Sequence, residues 1–239
     1  MSLCKHLKGL AIPSSIIKKN HSIVLMAVCD AHYKFTLVDI GDSGSNSDGA
    51  VFANSRMGDA FAKMQLHIPD AESLPGSGTM YLYVLVGDDA FQLKQKLMKP
   101  YPREVLGIRE RVFNYRLSRA RRIIENTFGI VAARFRVFRR PIHARVEMVV
   151  NITKATVALH NYLMSEKAFE SASKYCPAGF TETEGPGGTQ LEGEWRSVVQ
   201  RDQGLRDLTR AGSNNYSRSA KLVCEDFSNY FLSSAGQVP

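Results

Sequence analysis

Apolar residues fall into two kinds of pattern along this chain: short continuous runs, and stripes of helical period. Residues 22–29 (Ser-Ile-Val-Leu-Met-Ala-Val-Cys) form an unbroken run, the signature of a strand covered on both faces. After a turn at Asp30-Ala31-His32, residues 33–40 alternate apolar and polar, which predicts a second strand paired to the first as a hairpin. A loop of Gly, Ser, Asn and Asp over 41–49 leads to an expected helix over 48–63, with Val51, Phe52, Met57, Ala60 and Phe61 as its apolar positions. Residues 80–86 are a further apolar strand that ends at Gly87-Asp88-Asp89.

A long helix is expected over 114–138, with Leu117, Ala120, Ile124, Phe128, Val131 and Phe135 spaced to face a core. Glu125 lies about 100° around the helix from Ile124, beside that stripe. Pro141 ends the pattern, and another apolar helix is expected over 146–164. Residues 171–215 gather Gly and Pro, hold the only Trp (Trp195), and read as extended or irregular chain. An amphipathic helix over 217–232 presents Ala220, Val223, Phe227 and Phe231 on one face.

With 239 residues, 44% of them hydrophobic, the chain can bury one sizeable core plus an extension, or form two small domains. No apolar run approaches the ~20 residues of a membrane span. Cys4, Cys29, Cys176 and Cys224 show no CxxC spacing, so neither a zinc knuckle nor a disulfide framework is indicated, and reduced intracellular thiols are expected. Charge changes the picture more. From Lys94 to Arg145 there are 15 Lys or Arg and three acids, Glu104, Glu110 and Glu125. That segment nets +12, and since the whole chain is +8 the remainder nets −4. So concentrated a basic block suits a polyanion.

A lone acid inside such a block suits a metal ion facing phosphates. Its plainer role is an Arg121–Glu125 pair at i,i+4, worth a few tenths of a kcal/mol. A hairpin, a crossing helix, a strand ending in an acid and a helix carrying another together indicate an α/β fold of the ribonuclease H-like type, a mixed sheet flanked by helices. In that arrangement carboxylates converge so that two divalent cations, ~3.5–4 Å apart, bridge one phosphodiester. Mg²⁺ prefers oxygen ligands and keeps several waters, so two or three carboxylates suffice.

Four stretches carry a resemblance to a known family: residues 22–33 (Ser-Ile-Val-Leu-Met-Ala-Val-Cys-Asp-Ala-His-Tyr), 44–52 (Gly-Ser-Asn-Ser-Asp-Gly-Ala-Val-Phe), 86–91 (Val-Gly-Asp-Asp-Ala-Phe) and 113–130 (Phe-Asn-Tyr-Arg-Leu-Ser-Arg-Ala-Arg-Arg-Ile-Ile-Glu-Asn-Thr-Phe-Gly-Ile). The chain resembles the Harbinger-type DDE transposases and their domesticated nuclease relatives from about residue 20 onward; residues 175–180 and 212–218 resemble the family's tail. The resemblance implies a divalent-metal-dependent nuclease acting on DNA in the nucleus. Asp88 would be the second catalytic acid and metal ligand and Glu125 the third, with Mg²⁺ or Mn²⁺ as cofactor and a separate Myb-like protein as a possible DNA-reading partner. The first acid normally precedes Gly-Lys-His; here Leu3-Cys4-Lys5-His6 stands in that stretch, with Leu3 at the acid's place. The expectation is therefore a degenerate segment over 1–20, a nuclease domain over 21–166 whose first catalytic strand is missing or degenerate, and an extension over 167–239. Cleavage would be impaired. The alternatives are an inactive DNA- or partner-binding module that keeps the basic surface, or a fragment of a decayed element.

The remaining residues sort by chemistry. Asp89 points away from Asp88 if the strand pleat continues, and Asp48 suits a helix N-cap better than a ligand. Asp30 belongs to the hairpin turn, though it is the one acid near the strands able to replace the lost one. His143 and His160 lack partners at metal spacing and read as structural. Arg116, Arg119, Arg122 and Arg134 have no acidic partners in the sequence pattern, so they are either a solvated face or nucleic-acid phosphate contacts. Trp195 reads as an anchor for the tail, with base stacking left open.

Overall fold

The computed structural model describes residues 7–10, 14–18, 21–43, 48–102, 106–165, 173–200, 205–207 and 216–237. In chain order its strands are β1 (Leu7–Leu10), β2 (Ser14–Lys18), β3 (His21–Cys29), β4 (Phe35–Ser43), β5 (Glu72–Ser73), β6 (Met80–Tyr81), β7 (Val84–Val86), β8 (Leu97–Met98), β9 (Thr183–Glu184), β10 (Gln190–Leu191) and β11 (Leu205–Asp207). Its helices are α1 (Asp48–Asn54), α2 (Arg56–Ala62), α3 (Ile108–Arg134), α4 (Val146–Leu163), α5 (Trp195–Val199) and α6 (Arg218–Leu232), with 3-10 turns at Arg136–Phe138 and Pro186–Gly188. The fold is mixed α/β. Contacts divide the chain into two units: Met1–Leu10 with Ser47–Arg121 and Arg210–Pro239, and Ala11–Asn46 with Arg122–Thr209. The Leu3–His6 stretch, the loop at 44–47 and the tail residues 212–215 lie outside the described residues.

In the first unit β1 runs parallel to β7, Leu7 opposite Val84 and Gly9 opposite Val86, and β7 runs parallel to β8. A four-residue strand thus stands within the N-terminal segment for which a missing or degenerate strand was expected. All three residues of β7 are buried. Val84, Val86, Met98, Phe113 and Leu117 make one core with Ala220, Phe227, Tyr230 and Phe231 of α6. Ser217 caps α6 by accepting from the Ala220 amide at 3.2 Å. The expected single helix over 48–63 is two helices. Ser55 takes extended backbone (φ −78, ψ 157), and its Oγ accepts the Gly58 amide at 2.9 Å, which starts a new helix. Gly58 is required there, because a Cβ would lie 1.7 Å from the Phe52 carbonyl oxygen.

In the second unit β3 pairs antiparallel with β4 and, on its first half, with β2, which in turn pairs with β11. Ile23 to Cys29 are all 6% exposed or less, as the unbroken apolar run requires. Asp30 makes the turn: its Oδ1 accepts the amides of His32 at 2.8 Å and Lys34 at 3.0 Å. Asn161 of α4 then ties down the first residue of β4, accepting the Phe35 amide and donating to its carbonyl, both at 2.8 Å. Ile23, Ala27, Cys29, Phe35, Ile124, Val131, Phe138, Val149 and Val157 form this unit's main core.

Helix α3 starts earlier than the apolar stripe indicates, with Glu110 in its first turn where the helix dipole favours an acid. It stops at Arg134 because Phe135 is extended (φ −98, ψ 90). Leu117, Ile124 and Val131 of the expected stripe are at most 1% exposed. The second half of the helix also buries an opposite set, Asn126, Ile130 and Ala133, and the reason lies in the tail.

Candidate functional site

Asp88 follows the buried β7 and is 1% exposed, whereas Asp89 is exposed in the turn beyond the strand, which ends at Val86 and does not carry its pleat this far. Its Oδ1 accepts the Ala90 amide at 3.0 Å, and the strand end is held by the Gly87 amide donating to the Met98 carbonyl at 2.9 Å. Phe91, fully buried, lies edge-on to Phe52 at 5.7 Å. The loop leaves no room for larger residues. A Cβ on Gly87 would lie 2.9 Å from Phe91 Cδ2, and one on Gly49 would lie 2.8 Å from the Ala90 carbonyl oxygen. Lys99 is buried beside these acids; burial lowers the pKa of its ammonium, and the charges of Asp89 and Asp88 oppose that shift.

Glu125 sits half-buried on α3, next to a face of that helix that the tail encloses. Asn126 is 0% exposed, and its Oδ1 accepts both the Glu182 amide at 3.0 Å and the Trp195 indole N–H at 2.8 Å. Its Nδ2 donates to the Glu182 carbonyl at 3.4 Å. One turn on, Gly129 meets the Trp195 indole so closely that a Cβ would lie 2.2 Å from Cδ2. The Glu182 carboxylate, with no side-chain exposure, takes Gln190 Nε2 at 2.7 Å, Arg122 Nε at 3.7 Å and the guanidinium of Arg196. A buried carboxylate is tolerable only with such partners. Trp195 therefore anchors the tail, as expected. The tail is less irregular than its composition indicates: β9 pairs with β10, and α5 begins at Trp195.

Over residues 15–161 the sequence matches the family described as DDE superfamily endonuclease. This chain belongs to that family. No curated protein and no solved structure matched it. The matched segment of the DDE endonuclease contains both Asp88 and Glu125, while Glu182, Gln190, Trp195 and Arg196, which enclose the Glu125 turn, lie beyond it. Sequence reasoning missed Glu182, Asn126 and Gly129. The one signal for them was Gly129, an isolated glycine inside a strong helical pattern, which often marks a close approach.

Members of the DDE superfamily typically use divalent metals, and carboxylate oxygens suit a hard cation. Among the described residues, however, no group of three or more His, Cys, Asp or Glu side chains is placed to hold a metal ion. Among the described cysteines, Cys29, Cys176 and Cys224, burial disfavours the thiolate at each. Burial pushes the Cys29 thiol up to about 12 and Cys224 to about 11, far from the thiolate form at neutral pH.

The arginines of α3 differ from one another. Arg116 is buried, donates to the Gly236 carbonyl and sits over the Phe231 ring at 5.2 Å. Arg122 has an acidic partner after all, Glu182, which corrects the expectation drawn from spacing. Arg134 donates to the Tyr175 carbonyl at 2.6 Å and lies 4.1 Å from the Phe180 ring centre. Arg119 lies 5.7 Å from the Tyr115 ring centre. His160 is structural: its Nε2–H donates to the Tyr33 carbonyl at 2.6 Å, so its Nδ1 accepts from the Tyr175 hydroxyl at 2.9 Å. No helix among the described residues is long and apolar enough to cross a membrane.

Proposed function

We propose that this chain is a transposase-derived nuclease domain of Harbinger type, with a ribonuclease H-like arrangement over residues 21–166 and an extension over 167–239. It acts on DNA phosphodiesters, and its cleavage is impaired by Leu3 where relatives carry the first acid. The family match over 15–161 carries this reading, because it contains both Asp88 and Glu125. In this reading each of those carboxylates is a catalytic metal ligand for Mg²⁺ or Mn²⁺. Asp88 and Glu125 supply too few oxygens to stabilise the attacking and leaving oxygens of a displacement together. Nuclear placement and a Myb-like partner accompany the reading through the Harbinger resemblance. A second reading is an inactive DNA- or partner-binding module that keeps the basic surface of residues 94–145.

Nicking of supercoiled plasmid in Mn²⁺ separates them. The chain as it stands should nick barely above background. Leu3→Asp should raise nicking at least roughly tenfold, a lowering of the barrier by about 1.4 kcal/mol, and Asp88→Ala or Glu125→Ala added to it should remove the gain. No gain from Leu3→Asp favours the inactive module. Strong cleavage that persists in Glu125→Ala means the chemistry lies elsewhere.

A further inference from the structure

Basic charge is distributed differently from what the α3 arginines indicate. Arg116, Arg122 and Arg134 are bound to the Gly236 carbonyl, the Glu182 carboxylate and the Tyr175 carbonyl. A guanidinium held by its own protein must give up those bonds before it can serve a phosphate. Just beyond α3 the situation reverses. Residues 136–154 contain Arg136, Arg139, Arg140, Arg145, Lys154 and His143 against one acid, Glu147. Arg139 turns inward and donates to the Ala133 carbonyl, where it caps the end of α3. Arg136, Arg140, His143, Arg145 and Lys154 are all exposed, and none of them forms an ion pair with another described residue.

This connector is not a loose tail. It leaves the helix through Phe138, which is 1% exposed, and enters α4 just before Val149, which is 5% exposed; both belong to the core of the second unit. Pro141 removes one backbone donor and fixes φ in between. Three guanidiniums are therefore displayed on a segment anchored at both ends, whose one acid up to Lys154 is Glu147. Arginine's planar fork matches phosphate oxygens, and contacts of this kind position a protein on the nucleic-acid backbone without reading bases.

Building on the reading of the chain as a DNA-acting domain, we propose that the phosphate contacts to duplex DNA are made by the connector arginines Arg136, Arg140 and Arg145, not by the arginines of α3. The test is fluorescence anisotropy of a labelled 20-base-pair duplex with the full chain, titrated in salt. Replacing Arg136, Arg140 and Arg145 together by Ala should flatten the log–log salt slope by about 2.7, from roughly −0.9 per phosphate. Affinity near 0.1 M salt should fall by about two to three decades. Replacing the same three by Lys should keep the slope, since the charge stays. Arg119→Ala with Arg121→Ala should leave the slope as in the parent. Duplex binding that is unchanged in the triple-Ala variant, or a slope that follows Arg119 and Arg121, overturns the connector and leaves the DNA-acting reading standing. A loss of affinity with an unchanged slope also overturns it. Failure of the parent chain to bind duplex overturns both.

Discussion

The loop that carries Asp88 and the helical turn that carries Glu125 are held by opposite means. Asp88 is fixed by residues inside the family-matched segment: its Oδ1 accepts the Ala90 amide, the Gly87 amide donates to the Met98 carbonyl, and the fully buried Phe91 packs on Phe52. The Glu125 turn is fixed from far away, by Glu182 and Trp195 bonding to Asn126 across 56 and 69 positions. A loop held in this way draws its support from within the matched segment. A helical turn clamped by a distant segment depends on that segment, here one that lies outside the 15–161 family match. The extension is thus part of the structural support for the family's helix and not an appendage to it.

The largest test of this contrast removes the tail's buried charge. Glu182→Ala leaves Arg122 and Arg196 facing each other without their shared anion. Breaking a buried pair costs about 3–5 kcal/mol. Arg196 keeps 41% of its side-chain exposure, so the expected loss in urea unfolding is reduced to about 2–4 kcal/mol. Amide exchange should speed up at residues 122–130 and not at 85–91. Equal acceleration of both segments would mean that the two regions are not independently held.

Next in size is a sign reversal at Gly129. With Trp195 present, Gly129→Ala forces a Cβ to within 2.2 Å of the indole and should cost about 1–3 kcal/mol. In a Trp195→Ala background the same change should be neutral or stabilising, by up to about 1 kcal/mol, since alanine is the better helix former. The double-mutant cycle reads the coupling directly. Additive effects would show that the glycine serves something other than the tail.

How much of this was legible follows the same divide. β3, the hairpin turn at Asp30, the stripe of α3 and the C-terminal helix rest on periodicity and turn chemistry within a few residues, and the chain states these openly. The break at Ser55 was hidden, because the apolar positions on either side keep a helical spacing while one hydroxyl redirects the backbone. The start of α3 was obscured by the charged Arg109, Glu110 and Arg111. The second buried face of α3 could not be read, since Asn126 and Gly129 look polar or neutral until Trp195 is known to cover them. The arginines misled for the same reason. Spacing offers Arg122 only Glu125, three positions on, whereas its partner Glu182 comes from a segment that composition marks as irregular.

A smaller effect probes the local side of the comparison. Gly87→Ala places a Cβ 2.9 Å from Phe91 Cδ2. It should cost about 1–2 kcal/mol and speed exchange at 85–91 while leaving 122–130 unchanged. If the disturbance reaches the Glu125 turn, the Asp88 loop is not self-contained.

The smallest effect concerns a second place where the tail is held, His160 against Tyr175. The ring is 0% exposed, donates from Nε2 to the Tyr33 carbonyl and accepts at Nδ1 from the Tyr175 hydroxyl, an arrangement that needs the neutral imidazole. Burial lowers its pKa from 6.5, and the Tyr33 carbonyl and the Asp30 charge oppose that shift without reversing it. Below pH 6.5 the unfolded chain therefore binds more protons than the folded one. The contribution of His160 is fully present above that pH and is lost as pH falls through it, by at most about 1.4 kcal/mol per pH unit. Urea unfolding at pH 7.5, 6.5 and 5.5 should show this slope in the parent and a shallower one in His160→Gln. Matching slopes would mean the ring already carries its proton in the folded state, and the Tyr175 contact would then have to be an N–H donated to the hydroxyl oxygen.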